Sequence, residues 1–270
     1  MTVPADHNGY NPLAGQTELG DVDVPEWVVA MAAGRTVAPV WRNEDGGITY
    51  RFGDGESFLK VQRPCLDWDL GAELPRLAWI GDFVPAPRLL GSGVVGEGDD
   101  AAHWLLTSGV AGRSAVDRAC RAHPERTVPA LGRGLRRFHD SVPVASCPFS
   151  WSVFDRVTRF GLDPAFMAAA PPVDPVVCHG DACNPNFLIG ADQEVSGYVD
   201  LGGLGVADRW ADLAPALLSV GWNYGPGWEP AFLDSYGIAD DPAKRAFYTD
   251  LWNGVGTTLD RAETPGRSPG

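Results

Sequence analysis

The period of the apolar positions changes near residue 108 and divides the chain into two unlike halves. Before that point, short runs rich in β-branched and aromatic residues are punctuated by glycine and acidic turns. They are Val37–Trp41, Ile48–Phe52 and Ser57–Val61, broken at 43–47 and 53–55, then Leu89–Val95 and His103–Thr107 around a Gly–Asp turn at 96–100. Runs of this length bounded by turn residues read as strands. Two helices accompany them: Val24–Met31, around Pro25, and Leu66–Ile80, with Leu70, Leu74, Leu77 and Ile80 on one face. Proline is tolerated in a first helical turn, so Pro75 moves the start of the second helix to near Gly71 or Ala72. Beyond the Gly-rich stretch 108–112 the spacing becomes helical over Thr127–His139 (Val128, Leu131, Leu135 and Phe138 on one face), Val153–Phe160, Trp210–Val220, Trp228–Tyr236 and Pro242–Trp252. Within this half, Phe187–Ile189 and Gly197–Val199 flank the turn cluster Gly190–Glu194 and read as a β-hairpin. The pattern predicts an α+β chain without internal repeats. A small mixed β-sheet lobe with one main helix covers 23–107, and a mostly helical lobe carrying the hairpin covers 108–257. Residues 1–22 and 258–270, rich in small, polar, Gly and Pro residues, are expected to be loose ends.

At 270 residues the chain can bury a sizeable core in one or two domains, and ten Trp with a 44% apolar content argue for a folded globular protein. No apolar run approaches the roughly 18 residues of a membrane span. The N-terminus lacks the basic-then-apolar pattern of a signal peptide. Five Cys, odd in number and scattered, argue against a disulfide framework and fit a reducing cytoplasm. A zinc site at Cys178, His179 and Cys183 would lack a fourth ligand. The net charge of −14 changes the picture of partners: nucleic-acid binders carry basic patches, and the nearest thing here is the helix-face cluster Arg133–Arg137. A negative cleft instead concentrates cationic ligands.

The candidate chemistry is concentrated between Val176 and Leu213. One carboxylate, Asp181, is followed by the amide Asn186 and, across the hairpin, by a second carboxylate, Asp200. Paired strands lie about 4.8 Å apart, so the hairpin sets Asn186 and Asp200 side by side, as a clamp for an oxygen-seeking cation such as Mg2+ on a polyphosphate. Asp181, one short loop away, is placed to accept a proton from an attacking hydroxyl. A base, an Asn ligand and an Asp ligand in that order point to phosphoryl transfer. In the first lobe, Lys60 lies on the strand face opposite Leu59 and Val61. It is a candidate to steady the α- and β-phosphates, with Glu73 on the next helix as its ion-pair partner. Gly46 and Gly47, in the loop between the first two strands, offer backbone N–H groups to phosphate. Backbone groups at Ser108 and Val110, at the exit from the first lobe, are placed for an adenine edge.

The run H-G-D-x-x-x-x-N (179–186), followed by V-D-L-G-x-L-G-V-A-D-R-W-A-D-L (199–213), resembles the aminoglycoside 3'- and 3''-phosphotransferases. The matches Val84-Pro85-Ala86-Pro87, Leu135–Asp140, Cys147-Pro148-Phe149 and Ala246-Phe247-Tyr248 extend the likeness to about 37–252. The resemblance implies a bilobal protein-kinase-like fold with nucleotide in the cleft, Asp181 as base, and Asn186 and Asp200 on Mg2+. It also implies a Lys60–Glu73 phosphate-orienting pair, Ser108 and Val110 at the adenine hinge, and Asp212 bracing the catalytic loop. Three departures stand out: Gly203 where relatives often carry Arg, a short connection from Phe149 to Pro175, and a C-terminus that runs on past Leu251–Gly254.

A polyamine sugar needs carboxylates at the mouth of the cleft, and Asp155, Glu229 and Asp250 lie on segments that can line it. The aromatic stretch 222–228 suits stacking on sugar rings, or packing. The expectation is a cytoplasmic, Mg2+-dependent kinase that transfers the γ-phosphate of ATP or GTP to a 3' or 3'' hydroxyl of an aminoglycoside and so confers resistance. The alternatives are a kinase of another small hydroxylated amine or sugar, and a non-catalytic kinase-fold binding module.

Overall fold

The computed structural model describes residues 22–43, 46–63, 70–98 and 101–254. The expected loose ends, apart from Val22, fall outside these residues.

In chain order, α1 (Glu26–Met31) leads into β1 (Val37–Arg42), β2 (Ile48–Phe52) and β3 (Ser57–Gln62), followed by α2 (Leu70–Ile80), β4 (Leu89–Val95) and β5 (Ala102–Ser108). These strands form a five-stranded sheet in the order β1-β2-β3-β5-β4, antiparallel at every pairing. Side-chain alternation gives the sheet two different faces. Tyr50, Phe52 and Leu59 pack with Val28 and Ala32 on one side. Lys60 and its cross-strand partner Leu105 face α2 on the other. Helix α2 runs from Leu70, within a residue of the expected start near Gly71, and Pro75 lies inside the helix, beyond its first turn. The proline removes one helical N–H; burial of Leu70, Leu77 and Ile80 and the ion pair of Glu73 hold the helix across that gap.

The second lobe comprises β6 (Arg113–Ser114), α3 (Arg118–Arg121), α4 (Pro124–Ser141), α5 (Val153–Phe160), α6 (Ala165–Ala169), β7 (Pro175–Cys178), β8 (Phe187–Ile189), β9 (Val195–Tyr198), β10 (Gly205–Asp208), α7 (Trp210–Tyr224), α8 (Glu229–Tyr236) and α9 (Pro242–Asn253). The apolar stripe of α4 (Val128, Leu131, Leu135, Phe138) is wholly buried, each such side chain contributing about 1.5–3 kcal/mol. Helices α4 and α8 pack so closely that a Cβ on Gly132 would meet the carbonyl oxygen of Phe232 at 2.4 Å. One continuous core runs from α2 and β5 through α4 and α7 to α9, so the two lobes share their packing.

The hairpin β8–β9 forms as its pattern predicts, with Phe187 opposite Tyr198, and β6 adds a third strand beyond β8. A separate two-stranded ribbon pairs β7 with β10, Cys178 opposite Gly205. Helix α7 extends to Tyr224, so Trp222, Asn223 and Tyr224 belong to its last turn and not to an open aromatic loop. The Tyr224 hydroxyl donates to the Ala115 carbonyl, which ties that ring into the fold.

Candidate active site

The loop that leaves β7 (Cys178–Asp181) is held from below by a single buried carboxylate. Asp212, at the start of α7, accepts the backbone N–H groups of His179 (2.6 Å) and Gly180 (2.9 Å), and His139 Nε2 (2.9 Å). Because the carboxylate can only accept, His139 carries its proton on Nε2, and its Nδ1 accepts from the Tyr236 hydroxyl (2.7 Å). That hydroxyl in turn accepts from Arg209 Nη1 (3.1 Å). Burial opposes ionisation of Asp212, but the His139 hydrogen bond, the His139 and His179 rings and the Gly180 N–H outweigh it and hold its carboxyl below the usual range. Gly180 turns the loop with φ 85°, and a Cβ there would lie 2.0 Å from the Gly203 carbonyl oxygen. The contact of Gly180 with Gly203 is therefore backbone on backbone.

Asp181 emerges from this braced loop with its two oxygens in unlike settings. Its Oδ2 accepts from Asn186 Nδ2 (2.9 Å), which also reaches the Asp181 carbonyl (3.0 Å). Its Oδ1 is buried and makes no hydrogen bond. Burial pushes the Asp181 carboxyl up and Asp200 pushes it further, against the opposing pull of the Cys183 thiol, His179 and Asn186. Asp200 leaves the hairpin in the left-handed region at φ 62°, while Val199 N donates to the Asn186 carbonyl (3.0 Å). Such a conformation costs about 1–3 kcal/mol and persists where its surroundings enforce it. Here Lys60 enforces it: Nζ donates to Asp200 Oδ1 (3.1 Å) and to both oxygens of Glu73 (3.0 Å each). The chain Glu73–Lys60–Asp200 thus joins α2, β3 and the hairpin. Burial alone would pull the Lys60 ammonium down; Asp200 and Glu73 more than reverse this, and its pKa is raised.

The same geometry decides which atoms face a metal. With its Nδ2 given to Asp181, Asn186 presents its amide oxygen, and Asp200 retains the oxygen that Lys60 does not take. Two oxygen donors beside a third carboxylate fit a hard cation such as Mg2+. A buried trio of His139, Cys178 and Asp212 also has ligand atoms within 4.8 Å of one another. His139 Nε2 is already hydrogen-bonded to Asp212, and burial keeps the Cys178 thiol protonated, so that trio serves as packing.

Other predicted positions fare differently. Gly46 and Gly47 turn their N–H groups inward, to the Asn43 carbonyl (3.1 Å) and the Asn43 side-chain oxygen (2.6 Å), so they offer no donors to a phosphate in this conformation. Asn43 is locked in turn by its bond to Gln62 (2.8 Å). At the lobe exit, Ser108 exchanges hydrogen bonds with Arg88, and Gly109 N donates to the Glu56 carbonyl. The Val110 amide donates to no described residue, while its side chain packs against Gly197. Asp155 forms a capping box with Ser152 and also accepts from Ser150. Glu229 accepts from Gly227 N (2.9 Å), ahead of its own helix. Asp250 is exposed on α9. Among the described residues, no hydrogen bond or ion pair joins these three acids to Asp181. The sequence reading missed Arg156, which is 4% exposed on α5; its one signal was a cation on the buried side of a short amphipathic helix.

The profile of the Phosphotransferase enzyme family matches residues 47–248. The streptomycin 3''-kinase of Streptomyces griseus is 35% identical over 253 residues, which cover 78% of this chain and 89% of the relative. Among solved structures, the aminoglycoside phosphotransferase APH(3'')-Id of Streptomyces rimosus superposes with a TM-score of 0.66 at 30% identity, covering 84% of this chain and 96% of that one. The same enzyme in complex with ADP and streptomycin gives 0.64 at 28%, covering 85% and 97%.

Proposed function

Because the chain belongs to the phosphotransferase enzyme family, we propose that it transfers the γ-phosphate of ATP or GTP to the 3' or 3'' hydroxyl of an aminoglycoside, and thereby confers resistance. The observation that carries this reading is the environment of Asp181: one oxygen fixed by Asn186, the other buried without a donor, beside the Glu73–Lys60–Asp200 chain. The unpaired oxygen accepts the hydrogen of the acceptor hydroxyl, whose own lone pair then faces the phosphorus; the raised pKa makes this carboxylate a better proton acceptor than an ordinary one. Lys60, steadied by Glu73, meets the α- and β-phosphates. Asn186 and Asp200 would hold Mg2+, which would supply positive charge against the transferring phosphate. The Val110 amide is the hinge donor left for an adenine edge. Catalysis of this kind is mostly positioning, and the Asp212 brace supplies it.

No helix among the described residues is long and apolar enough to cross a membrane, and Cys120, Cys147, Cys178 and Cys183 are all free thiols. The free thiols fit a reducing cytoplasm as the site of action. Streptomycin is the first acceptor to test, since relatives in both comparisons are named for it or bind it. In a steady-state assay with ATP or GTP, streptomycin, kanamycin or neomycin should stimulate nucleoside diphosphate release and gain one phosphoryl group by mass spectrometry. Stimulation by none of the three removes the aminoglycoside reading.

A further inference from the structure

Beside the loop that carries Asp181 lies a buried cation that neither the phosphate machinery nor an ion pair accounts for. The Arg156 guanidinium has no carboxylate within ion-pair distance among the described residues; it rests against the rings of Trp151 (5.2 Å) and Trp252 (5.1 Å). Its Nε–H and the indole N–H of Trp151 are both buried without an acceptor. Buried donors are nearly always paired, so two of them on touching side chains mark a place where an acceptor oxygen belongs. The backbone locates that place. Trp151 N donates to the Val206 carbonyl (3.0 Å), and Val206 pairs with Val177, two residues ahead of His179. The carboxylates whose charge reaches Arg156 are Asp212 and Asp181, whereas Lys60, Glu73 and Asp200 mark the nucleotide side. Burial pulls the guanidinium down to about 10, which leaves it charged at neutral pH.

We propose that Arg156 determines acceptor specificity: braced by Trp151 and Trp252, it donates to an oxygen of the acceptor next to the hydroxyl that Asp181 engages, and repels an ammonium at that position. The assignment rests on the aminoglycoside reading above and names which face of such a molecule enters. A polycation approaching a protein of net charge −14 is drawn in from any side. A fixed internal cation leaves it one favourable register, with ammonium groups outward and an oxygen-bearing edge inward.

The test uses the full-length protein with whichever aminoglycoside it phosphorylates. Arg156→Met keeps the packing stem and removes the charge, so acceptor KM should rise about 10–100-fold, the range for a lost hydrogen bond to a charged group, with nucleotide KM unmoved. Arg156→Lys, which keeps the cation but loses the planar fork, should recover part of that loss. If the phosphoryl group goes to the 3' position, kanamycin A and kanamycin B, which carry a hydroxyl and an amine respectively beside the 3'-hydroxyl, sharpen the test as substrates. The wild type should favour the former, and the methionine variant should lose the preference. An acceptor KM within about twofold of wild type, a parallel rise in nucleotide KM, or a preference that survives Arg156→Met would each overturn the assignment. Failure of the aminoglycoside reading looks different, because the wild type itself then phosphorylates no acceptor.

Discussion

Asp212 and Asp181 are two carboxylates on opposite sides of one loop, and the protein treats them in opposite ways. Asp212 is wholly buried and engaged at both oxygens: two backbone amides and a histidine donate to it, and its carboxyl sits below the usual range. Asp181 has one oxygen fixed and the other left buried and empty-handed, and its carboxyl is pushed up by burial and by Asp200. The difference separates holding a loop from reacting at its tip. A buried acid with both oxygens hydrogen-bonded is a strut. One that keeps an unsatisfied oxygen stores unfavourable free energy that a bound hydroxyl can relieve.

Asp181→Asn should produce the largest effect. Removing a positioned base lowers kcat by about 10²–10⁴-fold, with nucleotide binding retained. The same variant should melt at a higher temperature than wild type. A folded pKa raised above the unfolded value means that stability from this group is present at low pH and is lost as pH rises through the folded pKa. The stabilisation by Asn should therefore grow as pH climbs past the carboxylate range, and the acid limb of kcat/KM should lie above that of an ordinary aspartate. A variant that loses turnover and melts lower would show that Asp181 is a second strut.

Asp212→Ala is the reciprocal break. It orphans the His179 and Gly180 amides and the His139 N–H, and losing one side of a buried charged network costs about 3–5 kcal/mol. Calorimetry should show a large fall in Tm together with lost activity. The sign of the linkage is opposite too. With a folded pKa depressed below the unfolded one, the contribution of Asp212 is present above the unfolded pKa and fades as pH falls through the folded value. The wild-type advantage over Asp212→Ala should shrink in acid, while the penalty that Asp181 imposes also disappears there.

Much of this contrast was legible in the chain. The boundaries of β2, β4 and α5 follow from turn residues and apolar spacing. Alternation put Lys60 opposite Leu59, and the hairpin pattern brought Asn186 toward Asp200. What escaped depends on partners remote in sequence. Strands β7 and β10 are four residues each and have no clean alternation to read, because three residues of each are buried. Gly46 and Gly47 looked like phosphate donors because nothing local announces that Asn43, locked by Gln62, takes their amides. Arg156 gains meaning only when Trp252 arrives from the far end of the chain. Asp155 is a different case: Ser152-Val153-Phe154-Asp155 is a capping signature legible in the sequence itself, and it assigns this acid to its own helix.

Asp155 supplies the smallest predicted effect and a check on where the acceptor pocket ends. Its Oδ2 accepts from Ser152 N (3.0 Å) and from the Ser152 and Ser150 hydroxyls, and these bonds hold its carboxyl below the ordinary range although burial opposes them. Those bonds brace one oxygen of a carboxylate at the protein surface, where water can replace lost partners. Asp155→Ala should therefore lower stability by about 1 kcal/mol, the usual loss for a helix cap, and leave acceptor KM as it is. A rise of about tenfold in acceptor KM at unchanged Tm would instead place this carboxylate against the sugar. The acceptor pocket would then reach the outer face of α5, and the fixed cation at Arg156 would have an anionic counterpart on the same helix.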